Sequence, residues 1–122
     1  MADLPTILVV EDDSTIVELI RVVLADEGYQ VRVASNGDEA LTAAGGDVAL
    51  VVMDMYVPGV SGKPLADRLR AMLGPDTPIL VVSASNVDDE ALGLGAYEYL
   101  PKPFDIDELV RAVRRGLGPV TQ

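Results

Sequence analysis

The 122-residue sequence contains no cysteine, no histidine and no tryptophan. Without Cys there is no disulfide, no thiolate nucleophile and no thiolate metal site. Without His the commonest general base and the imidazole metal ligand are gone, and the chain cannot itself carry a phosphohistidine. Aromatic residues are few, one Phe and four Tyr, so the core must be aliphatic. Positive charge is scarce too: nine Lys and Arg stand against twenty Asp and Glu, a net charge of −11. Such a chain is poorly suited to direct contact with nucleic acid, whose phosphates are bound by Lys and Arg, or with an anionic membrane. No apolar run approaches the ~20 residues that cross a bilayer. Met1-Ala2-Asp3-Leu4-Pro5 lacks the basic start and apolar run of a signal peptide, and a cytoplasmic location is expected.

What is present suits one α/β domain over residues 1–122, because 49% of the residues are hydrophobic, enough for a buried core. Ile7-Leu8-Val9-Val10, Ala49-Leu50-Val51-Val52-Met53 and Ile79-Leu80-Val81-Val82 are apolar without alternation, as strands buried on both faces of a parallel sheet are. Gln30-Val31-Arg32-Val33-Ala34 alternates more, as an edge strand does, and Tyr97-Glu98-Tyr99-Leu100 is a short fifth candidate. Helical patterns fall between them. Ile16, Ile20, Val23 and Leu24 form the stripe of the first, with Ser14 or Thr15 as cap and Thr15 with Glu18 as a capping box. The second opens at Asn36, with Glu39 three residues on, and ends at Gly45-Gly46. The third puts Leu65, Leu69, Met72 and Leu73 on one face and stops at Gly74-Pro75. The fourth, Asp88 to Leu94, is barely two turns and is interrupted by Gly93. The fifth begins near Asp105 and aligns Ile106, Leu109, Val110, Val113 and Leu117. The tail Gly118-Pro119-Val120-Thr121-Gln122 is expected to fray. Five β-α units of this kind predict an open, doubly wound parallel sheet with helices on both faces and the first strand near the centre.

In such a sheet ligands bind outside the carboxyl ends of the strands. Glu11, Asp12 and Asp13 follow the first strand, Asp54 the third, Ser83 the fourth and Lys102 the fifth. Each has a plain reading when taken alone. The acids after the first strand precede a helix N-terminus, where negative charge is favoured; Asp54 could close a turn, Ser83 could cap a helix, and Lys102 could be solvated. Together on one rim they suggest chemistry. Clustered carboxylates repel unless a cation neutralises them, and an all-oxygen donor set suits Mg²⁺. A cation, a lysine and a hydroxyl can clamp a phosphoryl group in transfer, and a carboxylate can accept it as an aspartyl-phosphate.

The residues Leu8-Val9-Val10-Glu11-Asp12, Val51-Val52-Met53-Asp54 with Pro58-Gly59 and Gly62, Val81-Val82-Ser83-Ala84 and Tyr99-Leu100-Pro101-Lys102-Pro103-Phe104 resemble the bacterial response-regulator receiver (CheY-like) family over essentially the whole chain. The resemblance implies a flavodoxin-like sheet of order 2-1-3-4-5. Asp54 is then the phosphate acceptor. Mg²⁺ is held by Asp12, Asp54, the backbone carbonyl of Tyr56 and, mainly through water, Glu11. Lys102 pairs with the acceptor and then with the phosphoryl oxygens. Ser83 is the switch hydroxyl and Tyr99 the switch aromatic, and the Lys102–Pro103 bond is cis. Asp13 matches no ligand position and remains a helix-start acid. The implied donor is a phosphohistidine on a sensor histidine kinase or a histidine phosphotransfer protein, and the implied receiver of the signal is a downstream effector protein or domain. The module catalyses only its own phosphorylation and dephosphorylation, and is a monomer or weak homodimer.

Two departures from the family pattern stand out. The stretch from Ser83 to Lys102 is short by about three residues, close to one helical turn. The loss falls within Val87 to Leu94, so the fourth helix is expected to be truncated and the common active-dimer mode weakened. Tyr56 is bulky beside the acceptor, at a position that often modulates phosphate lifetime, and is expected to shield the acyl phosphate from water. Rival readings fit less well. A haloacid-dehalogenase-like phosphatase needs a second Asp where Tyr56 stands, and a flavodoxin-like cofactor site needs a Ser/Thr/Gly loop where Glu11-Asp12-Asp13 stands. A P-loop is excluded by Val57 and by Pro64 after Gly62-Lys63. A receiver that is never phosphorylated and serves as an interaction module is the serious alternative.

Overall fold

The computed structural model describes residues 4–84 and 88–118. Val87, at the head of the shortened segment, the tail residues 119–122 and residues 1–3 lie outside them. Among the described residues five strands, β1 (Thr6–Val10), β2 (Gln30–Ala34), β3 (Val48–Asp54), β4 (Ile79–Ser83) and β5 (Glu98–Pro101), alternate with five helices, α1 (Ser14–Asp26), α2 (Gly37–Ala43), α3 (Gly62–Leu73), α4 (Asp88–Gly93) and α5 (Ile106–Leu117). All strand pairs are parallel, in the order β2-β1-β3-β4-β5. The patterning explains the order. Every residue of β1 and β4 is buried, whereas β2, on the edge, buries only Ala34. No helix among the described residues is long and apolar enough to cross a membrane.

Alternate side chains of the strands feed two apolar layers. Leu8, Val10, Val51, Met53 and Val81 pack with α2, α3 and α4 through Ala40, Leu65, Leu69, Ala91 and Leu94. Ile7, Val9, Leu50, Val52, Leu80 and Val82 pack with α1 and α5 through Ile20, Leu24, Leu109, Ala112 and Val113.

The helix ends differ in places from the sequence pattern. Asp13, in extended conformation, caps α1: its carboxylate accepts from the N–H groups of Thr15 at 2.9 Å and Ile16 at 3.3 Å. The Thr15–Glu18 box does not form, and Glu18 pairs with Arg21 instead. Asn36 caps α2 through the Glu39 N–H at 2.8 Å, and Glu39 reaches back to Ser35 rather than to Asn36. That helix ends at Ala43, before the Gly45-Gly46 stop. In α3, Met72 turns outward and is half-exposed, so Leu65 and Leu69 carry the packing. Ile106 of α5 is likewise exposed, and Leu109, Val110, Ala112 and Val113 form the buried stripe.

The fourth helix is short, as the spacing implies. It buries only Ala91, with Leu94 just beyond its end. Polar contacts make up for the missing apolar face. Arg70 of α3 donates to the carbonyl oxygens of Leu94 and, at 2.9 Å, Gly95, satisfying carbonyls a helix end leaves open.

The loop after β3 is shaped by α2. The Gly37 N–H donates to the Pro58 carbonyl at 3.0 Å, and a methyl group on Gly37 would sit 1.8 Å from the Val60 carbonyl oxygen. Only a residue without Cβ allows that approach. Gly37→Ala is therefore expected to destabilise the domain by about 1–3 kcal/mol, the usual cost of forcing atoms into a filled site, read as a lower urea midpoint.

Candidate functional site

The register of the sheet levels the strand ends: Val10 pairs with Met53, Asp54 with Val82 and Ser83 with Pro101. Glu11 and Asp12 leave β1, Asp54 closes β3, Ser83 closes β4 and Lys102 follows β5, so all five stand on one rim. Glu11 is 1% exposed and Asp54 8%, while Asp12 is open to solvent. Carboxylate oxygens of Glu11, Asp12 and Asp54 lie within 4.8 Å of one another.

Lys102 enters this cluster. Its Nζ lies 2.6 Å from Glu11 Oε1 and 2.8 Å from Asp54 Oδ2. The other oxygens of the pair accept backbone N–H groups, Glu11 Oε2 from Asp13 and Asp54 Oδ1 from Tyr56, each at 3.1 Å. Burial pushes the Glu11 carboxyl above its ordinary range, more than the hydrogen bonds from Lys102 and Asp13 pull it down. Burial opposes the Lys102 ammonium, but the hydrogen bonds to Asp54 and Glu11 outweigh it and hold its pKa above the usual value. The sequence reading paired Lys102 with Asp54 alone. Its contact with Glu11 needed the relative placement of β1 and β5, which no local pattern carries.

Ser83 is buried, and its carbonyl oxygen accepts the Lys102 N–H at 2.9 Å, extending the β4–β5 ladder. The Tyr99 hydroxyl approaches the same carbonyl at a long 3.5 Å, with its ring packed against the α2/α3/α4 layer. The Lys102–Pro103 peptide is cis. Asp13, set aside as a helix-start acid, is turned to the α1 cap. The Tyr56 hydroxyl donates to Glu90 Oε2 of α4 at 2.7 Å; Glu90 carried no signal in the sequence beyond being one of three acids in a row.

Three oxygen donors in reach of one point, two of them buried, fit a hard divalent cation that keeps waters of its own. An anion could approach only with such a cation present, because the rim is otherwise negative apart from Lys102. A parallel sheet in this strand order, with an acidic trio and a lysine on its carboxyl rim, defines the receiver class of signalling module.

The chain belongs to that family: the model described as response regulator receiver domain matches residues 7–114. It is 39% identical over 114 residues to an uncharacterized transcriptional regulatory protein, YkoG, of Bacillus subtilis, covering 91% of this chain and 50% of that one. The receiver domain of the sensor histidine kinase PA1611 of Pseudomonas aeruginosa, solved with magnesium coordinated in its active-site cleft, superposes with a TM-score of 0.85 at 29% identity over 96% of this chain and 100% of that one. Chemotaxis protein CheY4 of Vibrio cholerae gives 0.87 at 28% identity over 94% and 100%. The chain spans about half the length, or less, of the curated relatives it matches. It is a receiver domain of the kind that response regulators carry in two-component systems.

Two expectations follow from the buried charges. Lys102→Met leaves Glu11 and Asp54 without their counter-ion, and is expected to destabilise the metal-free domain by about 3 kcal/mol, the scale for breaking a buried pair, measured by urea unfolding. The Glu11 carboxyl, with its pKa raised on folding, contributes stability that is complete below its unfolded pKa and is lost as pH rises through the higher folded value. Glu11→Gln is expected to flatten the fall of the urea midpoint as pH rises above the ordinary glutamate pKa.

Proposed function

We propose that Asp54 accepts a phosphoryl group from a phosphohistidine of a sensor histidine kinase or histidine phosphotransfer protein, in a Mg²⁺-dependent reaction. The observation that carries this reading is the convergence of Glu11, Asp12 and Asp54 within 4.8 Å, with Lys102 on two of them. The carboxylates and the Tyr56 backbone carbonyl are suited to hold Mg²⁺, directly or, for Glu11, through water. When bound, the ion supplies positive charge that offsets the charge of the transferring phosphoryl group. The magnesium in the cleft of the PA1611 receiver supports the same assignment here.

In the transfer an Asp54 carboxylate oxygen bonds to phosphorus as the bond to the donor imidazole nitrogen breaks, and the imidazole leaves with that electron pair. The Lys102 ammonium, already 2.8 Å from Asp54, moves to the phosphoryl oxygens. The Ser83 hydroxyl donates to the phosphate, and Tyr99 turns into the space that the β4 end vacates. A charge of about −1.5 to −2 on Asp54 then alters the α4–β5–α5 surface that an effector reads. The domain acts on no substrate but itself and works in the cytoplasm as a monomer or weak homodimer. With its net charge of −11 it leaves nucleic-acid contact to other domains or partners.

Incubation with acetyl phosphate and Mg²⁺, read by intact-mass spectrometry, is expected to add one phosphoryl group. Asp54→Asn and excess EDTA are each expected to abolish the addition. No gain of mass in the unaltered domain would instead favour an unphosphorylated interaction module.

A further inference from the structure

The Tyr56 side chain bridges two parts of the molecule that the sheet does not join directly. Its backbone belongs to the segment just after β3, where its N–H donates to Asp54 Oδ1 at 3.1 Å. Its hydroxyl donates to Glu90 Oε2 of α4 at 2.7 Å. The ring is more than half exposed, so packing alone does not fix it; the bond to Glu90 sets where it lies. Glu90 raises the Tyr56 phenol pKa through that bond first, with burial and the Glu90 and Asp54 charges adding to it. Tyr56 and Glu90 both line a groove of about 320 Å³, with Met55, Lys63 and Gly93.

The helix that carries Glu90 is weakly anchored. It buries Ala91 and, just past its end, Leu94, whereas α5 buries Leu109, Val110, Ala112 and Val113. Among the described residues two polar ties join it to the β3–α3 side: Arg70 at its C-terminal end and Tyr56 near its start. Of the two, the Tyr56 tie is two residues from Asp54.

We propose that Glu90 is a positioning residue for the phosphoryl site: it holds the Tyr56 ring at the mouth of the site and thereby makes the lifetime of the phosphoryl group depend on where α4 sits. This rests on the reading of Asp54 as acceptor. In hydrolysis a water oxygen bonds to phosphorus as the bond from phosphorus to the Asp54 oxygen breaks, giving back the carboxylate and dihydrogen phosphate. A ring tied down by Glu90 limits the approach of that water, and a ring released by a shift of α4 does not. A protein that grips α4 in one position or the other thereby lengthens or shortens the signal without touching Asp54.

The test is the decay of the phosphorylated domain after loading with acetyl phosphate and Mg²⁺ and removal of the donor, followed by intact mass in the unaltered chain, Tyr56→Phe, Glu90→Ala, Glu90→Gln and the Tyr56→Phe/Glu90→Ala pair. Thermal melts establish that each variant folds. Tyr56→Phe and Glu90→Ala are expected to speed decay equally, by about threefold to tenfold, the range one such hydrogen bond spans. The double variant is expected to decay no faster than either, because both remove one and the same contact. Glu90→Gln, whose amide oxygen still accepts, is expected to stay near the unaltered rate. Unchanged decay in Glu90→Ala, additive effects in the pair, or Glu90→Gln behaving as Glu90→Ala would each overturn the proposal while leaving Asp54 as acceptor. Failure of the unaltered chain to take up a phosphoryl group, or uptake that persists in Asp54→Asn, would bring down the acceptor reading and this proposal with it.

Discussion

One ammonium group holds the site together. Lys102 Nζ stands between a carboxylate from the end of β1 and one from the end of β3, both largely out of water. Two such acids without a counter-ion repel, and each resists ionising. With Lys102 in place they can be charged and close, ready for a cation on their open side, where Asp12 reaches into solvent. The same contact ties the last strand of the sheet to the first and third across β4. The geometry of Pro101, Lys102 and Pro103 therefore bears on the whole rim, because an ammonium displaced by a few ångströms would leave both acids unpaired.

Much of this was legible in the residues. Unbroken apolar runs marked β1, β3 and β4 as interior strands, and the alternation of Gln30 to Ala34 marked β2 as an edge. Once strand ends are located, the rule that ligands gather at the carboxyl rim brings Glu11, Asp12, Asp54, Ser83 and Lys102 together from the sequence alone. What was not legible depends on competition or on distance in sequence. Asp13 displaced Ser14 and Thr15 as the α1 cap because a carboxylate in extended conformation reaches two free N–H groups at once. Met72 and Ile106 fit their helical stripes by spacing, yet both are exposed, because periodicity marks a face and not how much of it a neighbour covers. Arg70 and Glu90 looked like ordinary surface charges; their roles rest on α4 lying beside α3 and the β3–α3 loop, which is a tertiary fact.

The two sides of the sheet are secured by different physics. The α1 and α5 side is held by a broad aliphatic contact, whose attraction is non-directional. The α4 end of the other side is held by a few directional bonds from Arg70 and Tyr56, which are lost abruptly when geometry changes. Local opening is least costly where few apolar contacts must be broken, so α4 is the element most easily displaced among those described. Lengthening it by a turn would add buried side chains and make it harder to move; its brevity keeps it responsive.

The strand that ends at Asp54 has a further consequence. Leu50 and Val52 of β3 belong to the layer under α1 and α5, and Val51 and Met53 to the layer under α2, α3 and α4. Interiors packed at crystal-like density transmit small displacements rather than absorb them. A tug on the Asp54 carboxylate is thus delivered to both halves of the interior at once, through a single stiff rod gripped on its two sides, and neither face of the molecule can stay blind to what happens at its edge.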